Sequence, residues 1–129
     1  MTATDHAVSL VHAAARAASD KLAQQIMAFD VSEQLAITDA FVLASATNDR
    51  QVKAIVDEIE DKLREAGAKR IRREGEREGR WVLLDYGVLV VHVQHEEERQ
   101  FYALERLWRD CPVLELPADI VIAPASDGA

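Results

Sequence analysis

Two histidines three residues apart, His92 and His95, are the first candidates for chemistry, because a zinc site asks for His and Cys at ligand spacing. They fall at the end of the apolar run Val88 to Val93, which reads as a buried strand. On a strand, a spacing of three sends side chains to opposite faces, so one is expected to be structural and the other a surface residue. Cys111, the single cysteine, follows a helix C-terminus whose negative dipole end opposes thiolate formation. It reads as inert, and no internal disulfide is possible. Phosphate-binding loops need glycines so that backbone amides can approach the anion, and neither a GxGxxG nor a Walker loop is present. The expectation is therefore no catalytic residue, no metal and no cofactor.

One segment invites an enzymatic test. Nucleotidyltransferase-like folds place a Gly-Ser pair between a strand and a helix, then acidic residues at alternate strand positions to hold magnesium. Here the junction reads Ala44-Ser45-Ala46-Thr47, without glycine. The acids Asp57, Glu58, Glu60 and Asp61 fall on the following helix and read as its solvated face. The remaining charged feature is Lys69-Arg70-Ile71-Arg72-Arg73, followed by Arg77 and Arg80. It reads as an edge strand guarded by charge, with a minor RNA contact as the alternative. Across the chain, 15 Lys and Arg against 23 Asp and Glu leave a net charge of -8. Backbone binding to nucleic acid depends on cations displacing counterions, so a basic protein is the better electrostatic partner.

The elements that must position these residues are legible from periodicity. A helix is expected from Asp5 to about Gln25, with Val8, Val11, Ala15, Ala18, Leu22 and Ile26 at helical spacing. A strand over Ile26 to Val31 follows, then a near-continuous apolar strand over Asp39 to Ala46, typical of a position covered on both faces. The next helix is capped by Asn48, with Gln51 three residues on, carries Val52, Ile55, Ile59 and Leu63 in one stripe, and stops at Gly67. A third strand, Ala68 to Glu74, has Ile71 as its one large apolar residue, and Gly75 to Gly79 reads as a polar turn. Trp81 to Asp85 and Val88 to Val93 form a hairpin about Tyr86-Gly87. A last helix runs from about Glu97 to Arg109, ended by Pro112. The order predicts an α/β fold, a mixed β-sheet flanked by helices, as one domain over 1–112. The tail, 113–129, is expected to be partly disordered or packed on that domain. At 129 residues and 49 % apolar content there is enough for one core. No uncharged run is long enough for a membrane helix, and the first residues lack a secretory pattern, so a cytoplasmic location is expected.

Two stretches hold more information than folding needs. One is Thr38-Asp39-Ala40-Phe41-Val42-Leu43-Ala44-Ser45-Ala46-Thr47-Asn48-Asp49-Arg50-Gln51-Val52. The other comprises Trp81-Val82-Leu83-Leu84-Asp85, then Val90-Val91-His92-Val93, then Arg99-Gln100-Phe101-Tyr102-Ala103-Leu104-Glu105-Arg106-Leu107-Trp108. Together they resemble the ribosomal silencing factor (RsfS/Iojap) family from about Leu10 to Cys111. Ala46 stands where that family usually has glycine, and Ala40 where it often has tyrosine. The resemblance implies a nucleotidyltransferase-like topology without catalytic motifs, and a non-enzymatic role. It implies binding to the large ribosomal subunit through ribosomal protein fourteen, with the small subunit sterically blocked when nutrients are scarce. A large-subunit assembly factor using the same surface is the alternative. The free protein is expected to be a homodimer.

The residues offer a site for such a partner. With Tyr86-Gly87 as a two-residue turn, Asp85 opposes Val88, Leu83 opposes Val90 and Trp81 opposes His92. One sheet face then bears Trp81, Leu83, Asp85, Val90 and His92, and the last helix adds Tyr102, Glu105 and Trp108. Arg99 enters through the motif. Aromatics beside carboxylates suit a basic protein surface, so Trp81, Asp85, His92, Arg99, Tyr102, Glu105 and Trp108 are the candidate partner-binding residues. Each has a plainer role as well: Trp108 as core with Phe101 and Leu104, Asp85 as a turn residue, His92 as a satisfied strand histidine, and Glu105 as an i+4 partner of Arg109.

Overall fold

The computed structural model describes residues 2–75 and 78–125. Arg77 of the basic run and residues 126–129 of the tail lie outside them. The elements are α1 (Asp5–Asp20), β1 (Gln24–Asp30), β2 (Ala40–Ala46), α2 (Asp49–Glu65), β3 (Arg72–Glu74), β4 (Trp81–Asp85), β5 (Leu89–His95), α3 (Glu96–Tyr102) and α4 (Leu104–Leu107). The five strands form one sheet in the order β1-β2-β5-β4-β3. β2 and β5 run parallel and the other pairings are antiparallel, so the expected mixed sheet is present.

Strand alternation sorts the side chains into two layers. Ala40, Val42, Ala44, Val82, Leu84, Leu89, Val91 and Val93 face α1 and α2 and form the main core with them. α2 supplies Val52, Ile55, Ile59 and Leu63, the stripe expected from its spacing, and Val56 beside them. The Asn48 side chain accepts from the Gln51 amide at 2.8 Å and caps the helix. Gln51 reaches further than a local capping residue: its Oε1 accepts from the Thr47 amide, and its Nε2 donates to the carbonyls of Lys21 and Leu22. It therefore ties the start of α2 to the end of α1.

Four sequence expectations change. The first helix stops at Asp20 rather than near Gln25, because Leu22 adopts φ +63 and turns the chain into β1, leaving Leu22 exposed. The third strand is confined to Arg72–Glu74, at the sheet edge, and Ile71 is 67 % exposed. The β4–β5 turn residues are Gly87 and Val88, with Tyr86 donating to the Leu89 carbonyl at 2.8 Å. Gly87 has φ +82, the Val88 amide donates across it to the Tyr86 carbonyl at 3.1 Å as in a γ-turn, and Asp85 Oδ1 accepts from the Gly87 amide. Asp85 therefore opposes Val90, Leu83 opposes His92 and Trp81 opposes Gln94, each one pair further along than Tyr86-Gly87 would give. The slip preserves which residues share a face, because it moves each pairing by two. Finally, the last helix breaks at Ala103 into α3 and α4.

Residues 113–125 pack against the domain. Asp30 donates to the Pro112 carbonyl, Leu114 to that of Ala28 and Gln25 to that of Ala123, so this segment occupies the outer edge of β1. Leu114, Leu116 and Ile120 add to the main core, while Arg16–Asp119 and Ser19 Oγ to the Val121 carbonyl fix the segment to α1.

Ile59 is fully buried and Ile71 exposed, which sets an internal contrast. Ile59→Ala is expected to lower unfolding free energy by about 2–5 kcal/mol, and Ile71→Ala by no more than roughly 0.5 kcal/mol, in urea titrations.

Candidate functional site

The second sheet face has much less cover. Met27, Phe29, Phe41, Leu43, Val90, His92, Trp81, Leu83 and Asp85 point to it, and among the described residues the helices on this side are the short α3 and α4. Phe29, Val31, Phe41, Leu43 and Cys111 are buried there, with Leu104 and Trp108 packed on them. Leu83, Val90, Met27 and Trp81 are only partly covered. Beyond them stand Phe101, 80 % exposed, Tyr102, 49 %, and Leu107, 70 %.

The rings on this face touch in sequence. Trp108 meets Phe41 edge-on with centroids 5.0 Å apart, and Phe41 meets His92 at 5.5 Å. Trp81 lies 5.9 Å from His92 and 4.8 Å from Tyr102, and Tyr102 meets Phe101 at 5.0 Å. The structure thus brings Trp81, His92, Tyr102 and Trp108 into one aromatic ladder that runs from core to surface. It adds Phe41, which the sequence pattern presents as a plain core position. Phe101, expected in the core stripe with Leu104 and Trp108, is instead the exposed end of the ladder.

Local backbone features hold the ladder. Trp81 starts β4 after the turn opened by Gly75, at φ +89, where an added Cβ would lie 1.9 Å from the Trp81 carbonyl oxygen. His92 Nδ1 accepts from Trp81 Nε1 at 3.1 Å, so the imidazole is a neutral acceptor at that atom. Burial pushes the His92 pKa down to about 4. His95, on the other face, caps α3 by accepting from the Glu97 amide at Nδ1. Arg80 pairs with Glu97 and Glu98 in the acidic first turn. The two histidines part as strand spacing requires, one in the core and one at a helix start.

The charged candidates are committed elsewhere. Arg99 is 1 % exposed and cannot reach a partner while this packing holds. Its Nη2 donates to the Gln25 carbonyl at 2.7 Å and its Nε to both carboxylate oxygens of Glu105. Glu105 therefore pairs with Arg99 rather than with Arg109. Asp85 divides its oxygens between the Gly87 amide and Arg72 Nε. In the basic run, Arg70 and Arg73 both pair with Glu60, and Arg72 with Asp85 and Glu74. Internal pairing at the edge strand is the geometry of the guarded-edge reading. Asp39 accepts from the Thr4 amide and braces the start of α1. Cys111 is buried, and burial raises its pKa, with Asp110 and Asp30 adding to the effect.

Fold and face together define an α/β domain with two helices sealing one side of a mixed sheet and an aromatic surface open on the other. The chain belongs to the family described as "ribosomal silencing factor during starvation" (RsfS), whose model matches residues 4–128. It is 43 % identical over 108 residues to the ribosomal silencing factor RsfS of Bacillus subtilis, covering 84 % of this chain and 92 % of that one. A crystal structure from Bacillus halodurans superposes with a TM-score of 0.73 at 38 % identity, covering 84 % of this chain and 98 % of that one. One from Chromobacterium violaceum gives 0.76 at 32 %, covering 89 % and 92 %. A more distant relative, the mouse mitochondrial assembly of ribosomal large subunit protein 1, is 29 % identical over 67 % of this chain and 39 % of its own length.

The buried neutral His92 gives a pH dependence. Its pKa falls from the usual 6.5 to about 4 on folding, so the stabilisation is complete above pH 6.5. It drains as the unfolded state takes up a proton between pH 6.5 and 4, by on the order of 3 kcal/mol. Thermal midpoints measured from pH 7 to 4 should fall more steeply for the natural chain than for His92→Gln. Equal slopes would place the imidazole outside the core.

Proposed function

We propose that this chain docks on the large ribosomal subunit through ribosomal protein fourteen. The open aromatic face makes the contact, and the bound protein lowers translation under nutrient limitation by obstructing the small subunit. The action is steric and non-catalytic. The observation that carries this reading is the ladder ending in exposed Tyr102 and Phe101 beside partly covered Trp81, Leu83 and Val90. Tyr and Trp in a partly desolvated patch are the residues that dominate protein-binding energetics. Family membership supports the ribosome as the setting. The net charge of -8 favours encounter with a basic protein, and the pairing within Lys69–Arg73 leaves RNA at most a minor role. The same apolar face suits a second copy of the chain, so a free homodimer would compete with ribosome binding. A cytoplasmic location goes with this role.

A role in large-subunit assembly is the second reading, favoured by the name of the mouse relative. It would use the same face. Immature large subunits in an unstarved deletion strain would support assembly, whereas normal subunits with poor survival of starvation would support silencing.

Surface variants test the docking face directly. Tyr102→Ala and Leu83→Glu are expected to weaken co-sedimentation with large subunits at least tenfold, while whole-ribosome formation from added small subunits recovers. Thermal midpoints should move by only a few degrees. Undiminished binding in both variants would remove this face from the interface.

A further inference from the structure

The ion pair beneath α3 and α4 has no role in the docking face as described, yet its geometry reaches that face. We infer that Arg99 is a positioning residue: with Glu105 it clips the α3–α4 break onto the bulged start of β1, and so sets Tyr102 against Trp81. The inference rests on the open face being the docking surface and adds the device that holds it in shape.

Three observations converge on Arg99. First, its side chain is 1 % exposed, burial lowers its pKa with Glu105 only partly offsetting the effect, and Nη1 is buried without a hydrogen-bond partner among the described residues, so the bonds of Nε and Nη2 are those that hold it. A buried guanidinium is costly unless its bonds are made. Second, its partners lie on separate elements: the Gln25 carbonyl on β1 and the Glu105 carboxylate on α4. Gln25 sits at φ +49 where the β1–β2 register shifts, a bulge that breaks the ladder between Gln24 and Met27. The Gln25 amide in turn donates to the Ala123 carbonyl of the C-terminal segment. A single residue with an uncommon backbone is thus held from one side by the tail and from the other by Arg99.

Third, the helix breaks between the two members of the pair. Ala103 has φ +46, a left-handed conformation that costs an alanine free energy and that nothing in its own side chain repays. Alanine is the strongest helix former, so the local preference is to continue the helix. The break lets Glu105, six residues after Arg99, turn back to its guanidinium. A continuous helix would put positions six apart on different sides. Tyr102 is the last residue of α3, directly before the break, and its ring lies 4.8 Å from that of Trp81. The clip therefore fixes the residue that ends the helix at the edge of the aromatic surface.

The test compares Arg99→Met, Glu105→Ala and Glu105→Gln in the full chain. Each is read by nuclear Overhauser contacts between the Trp81 and Tyr102 rings and by titration on purified large subunits. Arg99→Met serves as the folding-tolerant variant, because it removes the buried charge and leaves only Glu105, whose carboxylate is partly exposed to water. Arg99→Met and Glu105→Ala should keep the amide spectrum of the sheet, lose the ring contact and bind large subunits at least tenfold more weakly. Glu105→Gln keeps an oxygen acceptor for Arg99 and should restore the ring contact, with affinity within about threefold of the natural chain. The Trp81–Tyr102 contact surviving unchanged in Glu105→Ala would overturn the inference. So would its loss with no change in affinity, or a Glu105→Gln variant as impaired as Glu105→Ala. The ring-contact readout needs no ribosome, so a natural chain that fails to bind large subunits would count against the docking reading and leave the clip tested on its own.

Discussion

The fold depends on the double burial of β2. All seven of its residues are buried, and its neighbours β1 and β5 satisfy its backbone from both edges. A strand in that position needs apolar cover above and below. α1 and α2, with 16 and 17 residues, provide it on one side. On the other side the helices among the described residues are α3 and α4, with 7 and 4 residues, so Phe41, Leu43 and Phe29 must find cover among the rings and the Cys111 region. Cover of that kind closes over β1 and β2 but runs out over β4 and β5. The unequal helix layers explain why one sheet surface is sealed and the other ends in exposed aromatics.

That inequality links fold and function in physical terms. A monomeric domain gains nothing in folding from Phe101 and Tyr102 standing in water, and a contiguous apolar surface of this sort is the usual mark of a binding site. Charge is handled in the opposite way. Carboxylates and guanidinia at this end of the molecule are paired with one another, from the buried Arg99 with Glu105 to the more exposed Arg72 with Asp85 and Arg80 with Glu97 and Glu98. On the proposed docking reading, specificity would rest on ring shape and position, with the overall negative charge contributing to encounter more than to fit.

How much of this could be read from the sequence follows from which signals are local. β2, β5 and α2 were legible because their apolar periodicity and the Asn48 cap are set by neighbouring residues. The shared face of Trp81, Leu83, Asp85, Val90 and His92 was legible because strand parity survives the slip of the hairpin register. The break at Ala103 was not, since alanine signals a continuing helix and the interactions that favour the turn come from Arg99 and Gln25, far apart in the chain. For the same reason Arg99 and Glu105 looked like surface charges, and Phe101 like core. Arg99 carried one usable hint: an arginine fixed in a motif of aromatic and apolar residues is as consistent with a buried strut as with a contact. The tail gave only its prolines, and its pairing with β1 and α1 depends on a sheet edge that sequence reading does not supply.

The central claim is that the ribosome sees the α3–α4 side of the sheet and not the α1–α2 side. A photo-crosslinking side chain placed at Leu83, on the open face, or at Lys53, exposed on α2, would separate the two on intact large subunits. Crosslinks from position 83 to ribosomal protein fourteen, with none from position 53, are the predicted result. Crosslinks from position 53 with none from position 83 would contradict it.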